Sequence, residues 1–187
     1  ISGATIKNLV VKGKITSKRG WVAGITPKMV NSTIENCGAE VDIKLTDITA
    51  SNIGEITGYS ETSTIKNCYA SGSISGKIRY SAGITGQISK KTDIENCYNT
   101  ADISTTLTSS QRVGGIAGYA NTTSAYTSDI TNCYNSGVIT GSGQVGSIYG
   151  FMTKTTNSTN VYYLENTHEN IYGFGNSVDV SGVSVVT

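Results

Sequence analysis

The side chains with the greatest capacity for chemistry are four cysteines that recur about 30 residues apart, Cys37, Cys68, Cys97 and Cys133. A zinc site needs four ligands that converge on a tetrahedron, usually supplied as closely spaced CxxC pairs, and no such pair occurs here. In two further copies of the same phrase the cysteine position holds Leu9 and Val161. The position therefore takes a medium-sized apolar side chain, and we predict free, buried thiols, with disulfide bonds as the alternative.

The acidic residues and the histidine form no catalytic pattern. A glycoside hydrolase needs two carboxylates that face each other about 5–9 Å apart. Glu35 and Glu95 fall in separate copies of the phrase, and Asp42 and Asp102 lie on an outward column. His168 is followed by Glu, but a zinc-binding HExxH motif would need a second histidine, which the sequence lacks. We expect no catalytic residue, no metal site and no cofactor.

Composition and motifs argue against nucleic-acid binding, membrane insertion and dinucleotide binding. The 187 residues include 14 Lys+Arg and 13 Asp+Glu, so there is no basic field to attract nucleic acid or anionic lipid. No apolar run approaches the ~18 residues of a membrane span, and we expect no membrane insertion of this segment. Glycine-rich words such as "VGGIAG" are not followed by the helix that a dinucleotide-binding loop requires.

One aromatic feature repeats at the surface. The residue after the cysteine column is tyrosine in four consecutive copies, at Tyr69, Tyr98, Tyr134 and Tyr162. Alternation along a strand places this position outward, and an exposed aromatic strip can bind sugar rings or another protein. The alternative is that the rings only stack on one another or lie beneath a loop. Long loops are a second candidate recognition surface, at 44–52, 104–112, 120–128 and 152–158.

These residues recur because the chain repeats one phrase, seen as "STIKNCYASGSIS", "TDIENCYNTADIS" and "SDITNCYNSGVIT". Aligned on its asparagine, the phrase occurs at Asn8, Asn36, Asn67, Asn96, Asn132 and Asn160. A unit of this length is typical of one coil of a β-solenoid. Each coil carries three short words, and 15 isoleucines fall in three columns: Ile6, Ile34, Ile65, Ile94, Ile130; Ile15, Ile43, Ile74, Ile103, Ile139; and Ile25, Ile56, Ile84, Ile116, Ile148.

Charges alternate in sign where coils would stack, in the pairs Lys7–Glu35, Lys12–Glu40 and Lys14–Asp42. In a parallel, in-register stack identical positions lie about 4.8 Å apart, so like charges would repel. The sequence therefore predicts an all-β fold, a parallel β-solenoid of about six coils of 28–36 residues. The preference of parallel crossovers predicts right-handed winding. Residues 1–163 form the repeat, and 164–187 a degenerate last coil with a C-terminal cap or tail.

The words "VGGIAGY" and "IGEITGY", preceded by "IxNCYxxGxI", resemble the GLUG repeat over residues 4 to 163. The resemblance implies a noncatalytic array in a secreted or cell-surface bacterial protein, either adhesin-like or of the immunoglobulin A1-cleaving zinc peptidase type. Its partners would be neighbouring domains of a longer chain and host or environmental glycans or proteins. The expected function is structural or adhesive. The alternatives are a glycan- or protein-binding module that uses the tyrosines and long loops, and, last, a polysaccharide-cleaving enzyme.

Overall fold

The computed structural model describes residues 1–46, 49–122, 125–152, 156–165 and 181–187. These residues form strands and no helix. The strands are β1 (Thr5–Lys7), β2 (Val10–Ser17), β3 (Val22–Ala23), β4 (Thr26–Val30), β5 (Thr33–Glu35), β6 (Gly38–Leu45), β7 (Ile53–Gly54), β8 (Thr57–Lys66), β9 (Tyr69–Gly76), β10 (Tyr80–Ala82), β11 (Thr85–Glu95), β12 (Tyr98–Asn99), β13 (Asp102–Thr105), β14 (Arg112–Gly114), β15 (Ala117–Asn121), β16 (Ser128–Asn135), β17 (Ile139–Thr140), β18 (Gln144–Gly146), β19 (Tyr149–Met152), β20 (Thr156–Leu164) and β21 (Val183–Val186).

The strands stack in parallel, coil upon coil, as a β-solenoid. One continuous sheet of 16 strands wraps around a corner of the coil, and a second sheet has five strands in the order β18-β14-β10-β7-β3. The stack has about five turns, close to the six expected. The last strand, β21, pairs in parallel with β20, so this strand adds to the same stack.

The three isoleucine columns line the interior, as predicted. Ile34 is the register partner of Ile6 and of Ile65, and Ile74 is likewise the partner of Ile43 and Ile103. A buried isoleucine contributes about 1.5–3 kcal/mol before the entropy of ordering it is deducted. The first-coil members Ile6, Ile15 and Ile25 are only partly buried.

The asparagines form a ladder at the corner between the first and second words. We call the Asn ladder the six residues Asn8, Asn36, Asn67, Asn96, Asn132 and Asn160. Each adopts a left-handed backbone with φ between 53° and 58°, a conformation that asparagine tolerates better than most residues. From Asn36 onward, each Nδ2 donates to Oδ1 of the preceding coil's asparagine at 3.0–3.3 Å. Gly182, with φ of 85°, takes the next position in β21's coil. The repeated asparagine of the phrase thus forms a hydrogen-bonded ladder along the stack.

The four cysteines are free and buried, which confirms the prediction from Leu9 and Val161. Val161 is the register partner of Cys133. Each thiol donates to the carbonyl oxygen two residues earlier at 3.1–3.3 Å. Burial raises the pKa of the Cys97 thiol well above its ordinary value, so little reactive thiolate forms at neutral pH.

The predicted charge columns are in register, but one ion pair differs. Lys12 contacts Glu40 at 2.8 Å, and Lys14 contacts Asp42 at 3.5 Å. Lys7 and Glu35 are register partners as expected. However, the Glu35 carboxylate pairs at 3.3 Å with Lys66 of the following coil. Glu35 has a lysine on each side in the stack, and the sequence alone did not indicate which would be closer.

Among the described residues, one carboxyl group lies inside the solenoid. Glu55 is fully buried at a position that is glycine in the two coils that follow, Gly83 and Gly115. A Cβ at Gly83 would collide with the side chain of Asn99, whereas the register partner of Asn99 in the preceding coil is Ala70. The small Ala70 therefore leaves room for a long side chain at the buried position.

Candidate functional site

The tyrosine row predicted from the sequence is continuous and faces outward. We call the tyrosine row Tyr69, Tyr98, Tyr134 and Tyr162, which are register partners in that order. Tyr98, Tyr134 and Tyr162 are 41%, 39% and 40% exposed, whereas Tyr69 is half-buried. The row lies outward because it follows the inward cysteine column on the same strands.

The rings change from stacked to splayed along the row. The centroids of Tyr69 and Tyr98 are 5.4 Å apart with an interplanar angle of 11°, whereas those of Tyr98 and Tyr134 are 6.5 Å apart at 41°. Parallel, closely spaced rings use one another's faces, so less of each face is free for a ligand. Tyr69, which shares a ring face with Tyr98 and is half-buried rather than exposed, therefore offers the least free aromatic surface of the row.

Tyr69 is fixed by contacts with the coil that precedes it. Its hydroxyl donates to Glu40 at 2.8 Å, and Glu40 also pairs with Lys12. Hydrogen bonds from Lys12 and from Tyr69 lower the pKa of the Glu40 carboxyl. The Tyr69 ring also lies where a side chain at Gly38 would stand, so the row begins at Tyr69. These contacts assign Tyr69 mainly to structure.

An open groove lies beside the other end of the row. It has a volume of about 350 Å³ and is lined by Asn132, Cys133, Tyr134, Asn160 and Tyr162. Its lining therefore combines two rings of the row with two asparagines of the Asn ladder. The ladder bond from Asn160 to Asn132 uses one N–H and one carbonyl lone pair. Each of these two asparagines therefore keeps at least one N–H donor and one carbonyl lone pair for a ligand. Aromatic faces beside amides suit a sugar ring, which presents both C–H faces and hydroxyl groups.

The carboxylates of the described residues are dispersed or engaged. Glu61 pairs with Lys90 at 2.5 Å, and Asp102 accepts the Val138 N–H at 2.9 Å. Asp42 and Asp102 are in one outward column with Ser73 between them. Among the described residues no group of three or more His, Cys, Asp or Glu side chains could hold a metal ion. His168 lies outside the described residues, as do parts of the loops at 44–52, 120–128 and 152–158.

A second aromatic surface, on another side of the coil, was not predicted. The outward column three residues after the third-word isoleucine contains Lys28, Tyr59, Gln87, Tyr119 and Phe151, which are register partners. Trp21 and Tyr80 pack beside this column, with centroids 5.3 Å from Tyr59 and 5.0 Å from Tyr119. The constant offset from the isoleucines is a signal that could have revealed the column.

Comparison with known proteins agrees with the repeat assignment. Residues 109–140 match the GLUG motif. Together with the parallel stack, this match supports a GLUG-repeat β-helix segment. Neither the curated proteins nor the solved structures gave a match. None of the described residues forms a helix long and apolar enough to cross a membrane.

Proposed function

We propose that this segment is a noncatalytic structural and adhesive β-solenoid of an extracellular bacterial surface protein, and that the tyrosine row is its adhesive face. The observation that carries the proposal is the groove beside Tyr134 and Tyr162, where exposed rings stand next to exposed amides. The GLUG match is the support for a surface-protein parent.

The stack itself suits a spacer. Each coil adds about 4.8 Å to the length, and its interior repeats the same isoleucine contacts. Such a rigid scaffold presents a surface row at fixed spacing, so less conformational entropy is lost on binding than with a flexible linker. The proposed ligand is a neutral glycan because the groove-lining residues carry no formal charge.

The test is a glycan array probed with wild type and with a Tyr134→Ala/Tyr162→Ala variant, which removes both rings that line the groove. An aromatic contact contributes about 0.5–1.5 kcal/mol beyond the area it buries. Loss of two rings should therefore weaken binding by about 1–3 kcal/mol, or roughly 5- to 150-fold. Unchanged thermal unfolding would show that the variant is folded.

A matched control is Tyr126→Ala, because Tyr126 is 41% exposed and lies outside the row. We expect this variant to bind like wild type. Loss of binding in Tyr126→Ala alone would place recognition in the loop at 120–128 instead. An array on which wild type binds no glycan would contradict the adhesive part of the proposal. Only the structural role as a spacer would then stand.

A further inference from the structure

Arg112 stands in a cluster of aromatic rings on the second aromatic surface. We call the arginine platform the five residues Tyr80, Arg112, Tyr119, Gln144 and Phe151. Tyr80, Arg112 and Gln144 are register partners on β10, β14 and β18, and Tyr119 and Phe151 are partners on β15 and β19. The platform is therefore assembled from two adjoining strand stacks.

The guanidinium group of Arg112 is held in one orientation. Its Cζ lies 3.9 Å from the ring centroid of Tyr119, 4.7 Å from that of Phe151 and 5.5 Å from that of Tyr80. Nε donates to Gln144 Oε1 at 2.9 Å, and an Nη donates to the Tyr80 hydroxyl at 3.4 Å. Ring stacking and two hydrogen bonds together fix both the plane and the rotation of the fork.

This arginine carries a positive charge that no carboxylate in the described part of the chain balances. The described ion pairs use other cations, including Lys12, Lys14 and Lys66. Two of the five N–H donors of Arg112 are used, which leaves three for another group. A planar guanidinium group with free N–H donors matches a carboxylate well. Because it is already oriented, less entropy is lost when an anion binds.

A second cation, Lys28, lies in the outward column that contains the platform residues Tyr119 and Phe151. Lys28 Nζ lies 5.6 Å from the centroid of the Trp21 ring and 5.4 Å from that of Tyr59. Lys28 and Phe151 are at opposite ends of the column. A ligand with repeated negative charges along its length would therefore meet a cation on an aromatic ring at two levels of the stack.

We propose that the arginine platform binds a carboxylate-bearing polysaccharide, that is, a polymer of uronic acid type. The carboxylate accepts hydrogen bonds from the free N–H groups of Arg112, and the rings of Tyr119 and Phe151 pack against the C–H face of the sugar. This site is separate from the tyrosine row, whose proposed ligand is neutral.

The probe is an oligogalacturonate, with its carboxyl-reduced galactose counterpart as the neutral ligand, and binding is measured by titration calorimetry. We expect wild type to bind the acid and not the reduced form. Arg112→Met should bind about 10- to 100-fold more weakly, as expected for one charged hydrogen-bonded contact. Arg112→Lys, which keeps the charge but loses the fork, should also bind more weakly.

Two control variants distinguish binding at the arginine platform from attraction to any surface positive charge and from binding at the tyrosine row. Arg79→Met removes the same charge from an exposed neighbour and should bind like wild type, as should Tyr134→Ala/Tyr162→Ala. The proposal is overturned if wild type does not bind, if the reduced sugar binds equally, or if Arg112→Lys and Arg112→Met both retain full affinity. Equal binding of poly-glutamate would overturn the assignment to a sugar. If Arg112→Met fails to fold, Arg112→Lys alone decides.

Discussion

Replacement of Glu55 by glutamine should remove a pH dependence that this one buried carboxyl imposes on stability. The side chain is 0% exposed, its Oε2 accepts the Ser71 N–H at 2.9 Å, and its Oε1 has no partner among the described residues. Burial raises the pKa of the carboxyl from its ordinary 4.5 to about 8, despite the opposing hydrogen bond from Ser71. The native protein therefore holds a proton that the unfolded chain releases.

The sign follows from which state binds the proton. Between about pH 4.5 and about pH 8 the native state binds more protons at Glu55, so the free energy of unfolding falls as pH rises. The slope is about 1.4 kcal/mol per pH unit. Over the interval from 4.5 to about 8, the loss is on the order of 5 kcal/mol. That is comparable to the whole stability of many domains.

The measurement is urea unfolding of wild type and Glu55→Gln from about pH 5 to about pH 8. Wild type should lose stability relative to the variant by about 1.4 kcal/mol per unit, because the carboxamide keeps the shape of the protonated acid without titrating. Glu95→Gln removes a carboxyl at an exposed position and controls for the general loss of charge. Parallel pH profiles for wild type and Glu55→Gln would refute the reasoning.

Two further predictions concern the Asn ladder and the cysteines. Asn96→Ala should destabilise the protein by about 2–3 kcal/mol, since it loses two ladder bonds and puts alanine in a left-handed conformation. Asn96→Gly should cost about 1 kcal/mol less than Asn96→Ala because glycine relieves the backbone strain. Equal urea unfolding midpoints for the two variants would contradict this difference. The four thiols should react with Ellman's reagent slowly in the native protein and completely in denaturant. Two disulfides in a non-reducing mass measurement would contradict buried, free thiols.

Stacked columns could be predicted from the sequence because a solenoid turns equal offsets into contacts. Ile34 lies on Ile65 for the same reason that Asn36 lies on Asn67: each pair occupies equivalent positions in neighbouring coils. Cys133 could be assigned to the interior because Val161 shares its column. Repetition therefore supplied the fold class, the register and the outward position of the tyrosine row.

Contacts between different columns could not be predicted in this way. The ring cluster around Arg112 joins residues at unrelated offsets, and its geometry depends on how two strand stacks meet at a corner. Glu35 forms its ion pair with Lys66 rather than with Lys7, and which lysine it pairs with depends on side-chain rotamers. The burial of Glu55 depends on the size of Ala70 in another word of the coil.

The alternating charges of Lys7, Glu35, Lys66 and Glu95 also affect which coils can stack on one another during folding. Isoleucine columns look the same in every coil, so hydrophobic contacts alone would allow a folding chain to skip one coil. A skip would bring Lys7 against Lys66 and Glu35 against Glu95, whereas the native order pairs unlike charges. Like charges directly opposite are destabilising. The alternating surface charges thus disfavour folding intermediates that skip one coil, which the isoleucine columns alone would not disfavour.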